Sequence, residues 1–269
     1  MQVNSLIRLQ NADMLYKKIV AISAAYFIHD DIGEIERFRN EANQFLKSVS
    51  GTDTIVAIFD HKNYTPVLEV GEKEFWGDLS KVERVDRMTQ IMGLLESDYK
   101  SFFTDSVQWF TGVLEKMPFE QSTNIQIFHC GIRYRLLNDK PVCLLSKGLP
   151  IHYNAERKFS YTFNYVQNIN HLIKKDFRNY WIRISHSANS EHVHTFHSED
   201  KIPSTKDLLS TREKEILKLI ADDLDTKEIA ERLSISTATV GNHRSNMIEK
   251  LGARDSTALV QLAKMADLI

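Results

Sequence analysis

From residue 207 onward the apolar positions recur at helical spacing. Four runs stand out: Ile216, Leu217, Leu219 and Ile220; Ile229, Ala230 and Leu233; Val240, Met247, Ile248 and Leu251; Leu259, Val260, Leu262, Ala263 and Met265. Steps of three, four and seven residues give each run one inward stripe and leave its other side polar. Polar punctuation fixes the ends. Ser210-Thr-Arg-Glu213 and Asp225-Thr-Lys-Glu228 are capping boxes, in which the first side chain takes the N3 amide and the glutamate reaches back. Ser236 and Asp255 are simple N-caps, and Gly252 sits where a helix stops. The pattern predicts helices over 211–221, 226–233, 237–251 and 256–267. The second and third are joined by a tight turn. A bundle of this size folds by itself in many proteins.

Upstream the pattern changes. Thr54–Asp60 and Pro66–Gly71 are short β-branched runs around a polar turn, and they predict two strands. Helical stretches are expected at about 11–48 and 73–117, the latter carrying Phe75, Trp76, Tyr99, Phe102, Phe103, Trp109 and Phe110. Three further strands are expected at Ile125–Leu137, Val142–Tyr153 and Phe159–Ile169, with a hairpin turn at Asn138-Asp-Lys-Pro141. Ser198–Lys206 is polar, contains a proline and has the character of a linker. The expected fold is α+β. Residues 1–173 form an antiparallel sheet with helices and an N-terminal helical extension, 174–206 a strand and polar linker, and 207–269 an all-α unit.

Composition narrows the class. The chain has 269 residues, 42% hydrophobic and 26% charged, which is ordinary for a soluble protein with room for two domains. It has no apolar run long enough for a membrane span and no signal-peptide layout at its start, so a cytoplasmic place is expected. Two cysteines, Cys130 and Cys143, make no disulfide framework. The net charge is −2, and residues 207–269 hold nine Lys or Arg against eleven Asp or Glu. No global field draws this chain to a polyanion. Nucleic-acid binding would rest on a few well-placed cations and on dimerisation.

The third C-terminal helix is the chief chemical candidate. Its outward face offers Thr237, Gly241, Asn242, Ser245 and Glu249, with Thr239 and Asn246 alongside. Asparagine can bond adenine through two atoms, and serine can bond either kind of base edge. His243 and Arg244 flank that face. Lys227, beside Thr226, opens the preceding helix, where free N–H groups and a cation suit phosphate. Gly241 is costly in a helix interior and suits a backbone that something approaches closely.

Residues 207–269 resemble the LuxR/FixJ-type helix-turn-helix of bacterial transcription regulators. The matching positions are Leu209-Ser-Thr-Arg-Glu213, Glu215, Leu217, Lys227-Glu-Ile-Ala230, Leu233, Ile235-Ser236, Thr239-Val240, His243, Asn246, Lys250-Leu251, Arg254 and Ala258. The resemblance implies that the helix at 237–251 reads bases of double-stranded DNA. It also implies that the last helix makes a homodimer contact, placed here at Leu259, Leu262 and Ala263. Asp223 departs from the pattern, which usually has glycine at the end of the first helix. Residues 50–173 resemble a PAS-type sensor in element order and in the run from Gly131-Ile-Arg-Tyr-Arg through Phe163–Asn170. This implies a pocket for a small-molecule effector between sheet and helices.

Other chemistry is weighed and set aside. His186, His192, His194 and His197 have spacing that could hold zinc or haem iron, but a polar strand near a domain boundary explains them equally. Asp30-Asp31 has the look of a receiver's acidic pair without the matching later positions. No nucleophile elbow, zincin helix or phosphate loop occurs, so neither an enzyme nor a bound cofactor is expected. The expected function is a DNA-binding transcription regulator governed by its upstream domain. The alternatives are a metal- or haem-binding redox sensor acting through DNA, and a protein-interaction module that does not bind DNA.

Overall fold

The protein is seen here in a computed structural model, which describes residues 40, 44, 54–71, 83–122, 125–135, 141–153, 158–186, 193–198 and 203–269. Most of the expected helical stretch at 11–48, Asp30-Asp31, His192, most of the 138–141 turn and the start of the stretch at 73–117 lie outside them.

Seven strands form one antiparallel sheet. They are β1 (Thr54–Asp60), β2 (Thr65–Val70), β3 (Ile125–Arg135), β4 (Pro141–Tyr153), β5 (Phe159–Asn168), β6 (Trp181–His186) and β7 (Val193–His197), in the order β2-β1-β5-β4-β3-β6-β7. Between β2 and β3 the chain forms α1 (Arg84–Leu94), α2 (Ser97–Lys116) and the single turn α3 (Phe119–Ser122). The first five strands and these helices have the element order that the PAS resemblance implied. The stretch 174–206 differs from expectation. Instead of a strand and linker, it supplies β6 and β7, which pair in series onto β3. The alternation of β6 was hard to read because both of its faces are covered: all of Trp181–Ser185 is buried. A strand buried on both sides loses its polar phase.

The two faces of the central strands have different neighbours. Ile127 and His129 of β3, Leu144 and Ser146 of β4, and Ile182 of β6 face a cavity roofed by α1 and α2. Their neighbours Phe128, Cys130, Cys143, Leu145 and Trp181 face the other way and join a core that continues into the C-terminal helices. Strict alternation along a strand puts these two sets on opposite faces. The α2 aromatics divide likewise. Phe103 and Phe110 line the cavity, whereas Phe102 and Trp109 stack on Phe196 of β7 with ring centroids 5.6 and 5.4 Å apart.

Four helices complete the chain: α4 (Thr211–Ala221), α5 (Thr226–Leu233), α6 (Thr237–Leu251) and α7 (Ser256–Met265). Both capping boxes form. The last helix stops two residues earlier than its pattern predicted, because Asp267 turns left-handed (φ 49°) and Leu268 N–H bonds back to the Ala263 carbonyl at 2.9 Å. Among the described residues no helix is long and apolar enough to cross a membrane.

The helical unit is docked on the outer face of the sheet. Arg183 of β6 is fully buried and grips Asp207 through two nitrogens, at 2.7 and 3.1 Å. It also donates to Ser185 Oγ at 2.7 Å, and Lys214 reaches the same Asp207 carboxylate at 2.6 Å. Burial alone would raise the Asp207 carboxyl; hydrogen bonds and charge from Arg183 and Lys214 outweigh it and hold the group below the usual range. A second seam joins backbones: Lys174 N–H donates to Gly252 C=O and Arg254 N–H to Leu172 C=O, each at 2.9 Å. Gly252 (φ 70°) lies flat against the Phe177 ring, where a Cβ would come within 2.3 Å. That position requires glycine twice, for its backbone conformation and for this approach.

Candidate nucleic-acid interface

The turn between α5 and α6 is built from local bonds. Ser234 closes α5 in the left-handed conformation (φ 52°), and Ile235 N–H bonds back to Ala230 C=O at 3.0 Å. The next residue, Ser236, caps α6 by accepting from Thr239 N–H at 3.0 Å. Two residues thus end one helix, begin the next and fix the angle between them. Asp223 does the corresponding work at the end of α4. It takes a left-handed conformation (φ 65°), and Leu224 N–H bonds to Leu219 C=O at 3.1 Å. The glycine-like turn is therefore kept without glycine, which aspartate tolerates better than most residues.

α6 is two-sided. Val240, Met247 and Leu251 are buried, whereas Thr237, Asn242, Ser245, Asn246 and Glu249 are exposed. Thr239 is half-buried and its hydroxyl lies 2.8 Å from Ser236 Oγ, so it belongs to the cap. His243 is half-buried at the edge of the open face. Arg244 lies elsewhere than expected. Four- and three-residue steps carry Val240, Arg244, Met247 and Leu251 onto one stripe, so Arg244 lies on the inward side. It is half-buried, and its Nε is buried without a hydrogen-bond partner. On α5, Lys227 is exposed and Thr226 half-buried.

The sheet meets this unit far from that face. Its contacts are at Asp207, Gly252–Arg254, Ala266 and Asp267, the last paired with Lys147 at 2.5 Å. The outward face of α6 stays open while the unit is docked. Inside the unit, Glu213 is buried and serves twice: it closes the α4 capping box and receives Lys250 of α6 at 2.8 Å. Lys250 and Glu213 matched the family pattern, but nothing in their spacing showed that they meet.

The proposed dimer positions fare differently. Leu259, Leu262 and Ala263 are 0, 2 and 0% exposed and belong to the chain's own core. Their apolar stripe is satisfied within one chain, so it offers no surface to a second; the exposed positions of α7 are Thr257, Gln261 and Lys264. His186 sits at the end of β6, and His194 and His197 are spread along β7 opposite Ile184 and Trp181. Among the described residues no group of three or more His, Cys, Asp or Glu side chains is placed to hold a metal.

Comparison with known proteins agrees with this geometry. The sequence profile of the luxR family of bacterial regulatory proteins, GerE, matches residues 207–263. The spore germination protein GerE of Bacillus subtilis (strain 168) is 45% identical over 71 residues, covering 26% of this chain and 96% of that protein. The Fimbriae Z protein of Escherichia coli (strain K12) is 42% identical over 66 residues, and the transcriptional regulatory protein DesR of Bacillus subtilis (strain 168) 36% over 76. The chain spans 31% and 38% of the length of those two, so the likeness is confined to the helical unit. The solved structure of the transcription factor GerE matches at 39% identity over 23% of this chain and 92% of its own, with a TM-score of 0.23. A Vibrio cholerae VqmA structure aligns over 82% of this chain and 86% of its own at 16% identity, with a TM-score of 0.28. The chain belongs to the LuxR family of bacterial regulatory proteins and is a DNA-binding transcription regulator, with residues 207–263 carrying the family's helix-turn-helix.

Proposed function

We propose that this regulator reads a specific DNA sequence through the outward face of α6, as a homodimer, under the control of the sheet domain. One observation carries the reading: Asn242, Ser245 and Asn246 are exposed on a helix whose opposite stripe is buried, and docking leaves that face open. The helix fits a major groove, with Asn242 suited to adenine and Ser245 to either base type. Lys227, at the start of α5, is the phosphate contact, with Thr226, Thr237, Thr239 and His243 along the same border. Arg244 takes part only if its side chain swings outward to give its unpaired Nε a phosphate oxygen. The few cations on this face favour two heads on half-sites about one DNA turn apart. The pairing surface lies outside the Leu259–Ala263 stripe.

The test is selection of bound fragments from random DNA, followed by variants on the selected site. Asn242→Ala should cost ~1–3 kcal/mol and relax the preference at one base pair. Lys227→Ala should weaken all sequences alike and flatten the salt dependence by about one unit of slope. An unchanged selected sequence and affinity for Asn242→Ala would remove α6 as the reader. Sedimentation with and without DNA checks the dimer.

A further inference from the structure

We propose that the cavity beneath the sheet binds a small, uncharged ring compound, one or two fused rings in size, that bears a neutral hydrogen-bonding group. This rests on the sheet domain being the sensor, and it names what is sensed.

Size comes first. The cavity measures about 200 Å³. A buried apolar space of about 150 Å³ holds benzene, so this one holds a substituted ring or a bicycle and excludes a large cofactor. Shape follows from the walls: Phe59, Tyr64, Phe103, Phe110 and Tyr134 face the space, and rings in such company pack best edge-to-face or offset.

Two hydrogen-bonded polar clusters lie among the lining residues, beside Ser106, Ser146 and the phenol rings of Tyr64 and Tyr134. In the turn after β1 and on β5, His61 Nε2 lies 2.9 Å from Thr162 Oγ1, and Asn164 Nδ2 donates to the same hydroxyl at 2.8 Å. Gly148 of β4 makes room for this cluster, since a Cβ there would meet Asn164 Oδ1 at 2.8 Å. On β3, His129 Nε2 lies 2.6 Å from the Tyr99 hydroxyl of α2. His129 is in register with Ser146 of β4, and Ser146 with Val166 of β5, four residues along that strand from Thr162, so two strand spacings across and four residues along set the clusters roughly 16 Å apart. A ligand of one or two rings therefore reaches one cluster and not both.

Charge is excluded by the same walls. Among the described lining residues only Glu69 carries a formal charge, and it is paired with Arg87. Burial lowers both imidazoles to about 3, so they are neutral at physiological pH and offer hydrogen bonds without charge. A carboxylate or ammonium entering here would lose its water and gain no counter-ion.

The experiment uses the full chain and three probes of one shape: neutral 4-hydroxybenzamide, anionic 4-hydroxybenzoate and cationic 4-hydroxybenzylamine, with 6-hydroxyquinoline as a neutral two-ring member. Calorimetry and thermal melts at pH 7.5 give the comparison. At least one neutral probe should bind and raise the Tm by a few degrees, with the charged pair at least tenfold weaker. Val107→Trp, which fills the cavity from α2, should abolish neutral binding while DNA binding persists. The milder Thr162→Val should weaken it severalfold in a chain that still folds and binds DNA. Equal or tighter binding of a charged probe, binding unchanged in both variants, or no neutral binding at millimolar concentration overturns the proposal. DNA affinity measured with and without the neutral probe separates the two readings: a probe that binds by these criteria without altering DNA affinity upholds the ligand class and removes the sensor role.

Discussion

At the scale of single residues, Gly241 carries the sharpest consequence. It sits in the interior of α6, where glycine costs about 1 kcal/mol against alanine. Among the described residues nothing explains it: a Cβ added there meets no atom within 4 Å. If the outward face of α6 enters a groove, the missing side chain serves the DNA and not the fold. Gly241→Ala should therefore raise stability by about 0.5–1 kcal/mol in urea unfolding and at the same time weaken DNA binding. A variant that is stabilised and binds DNA as well as the parent would show that the gap has no such use. Asp223 teaches the complementary lesson. The residue departs from its family's pattern while the backbone does not, so a mismatch in sequence is not a mismatch in turn geometry.

At the scale of elements, the sheet's two faces respond to acid at different pH. His61 and His129 are held neutral in the folded domain, while the unfolded chain takes up protons near the ordinary histidine value of about 6.5. The unfolded state then binds more protons, so their contribution is complete above that value and is lost progressively as pH falls toward about 3. Asp207 has a depressed value, so the Arg183–Asp207 grip is complete above about pH 4 and fails only below it. Between pH 7.5 and 5 the denaturation midpoint of the sheet domain should fall while the docking contact persists. His129→Gln should flatten that dependence. A midpoint constant from pH 7.5 to 5 would mean that these imidazoles are not the neutral, buried groups described above. Legibility differed between elements too. The three C-terminal helices from 211 to 251 were readable to the residue because each start is fixed by a capping side chain and each stop by a left-handed residue, Asp223, Ser234 or Gly252. β6 was not, because burial on both faces erases the alternation that marks a strand.

At the scale of the whole molecule, the head and the sheet share one core. Arg183 is the most exacting part of that contact, a fully buried cation with its carboxylate partner on the other unit. Removing one member of such a pair leaves the other buried and poorly matched, at a cost of about 3–5 kcal/mol; Lys214 remains beside Asp207 and lessens it. Arg183→Met should therefore split the unfolding of the chain into two transitions and increase its radius in small-angle scattering, with the head still folded. One transition at the parental midpoint would show that Arg183 does not hold the units together. The cavity and the head lie on opposite faces of β3, β4 and β6, so a ligand that shifts those strands acts on the docking surface directly. Such a shift has effect only as far as the ligand prefers one placement of the head to the other.

The sequence by itself determined the head: its helices, caps, turn and outward face follow from interactions no more than a few residues apart, and the family pattern is written in them. It also determined the order of the first five strands and their helices. Tertiary structure decided everything that depends on which surfaces meet. Leu259, Leu262 and Ala263 form an apolar stripe either way, and only packing shows that the chain's own core covers it. Helical spacing already puts Arg244 on the inward stripe, but only packing shows its Nε buried without a hydrogen-bond partner. Arg183 and Asp207 are 24 residues apart, and Glu213 and Lys250 are 37, with no spacing rule to join them. His61 and His129 were ordinary residues of a turn and a strand until the sheet brought them under one roof. Local bonds leave their mark at fixed offsets in the chain, whereas burial and pairing across a fold are properties of neighbours that the chain order does not record.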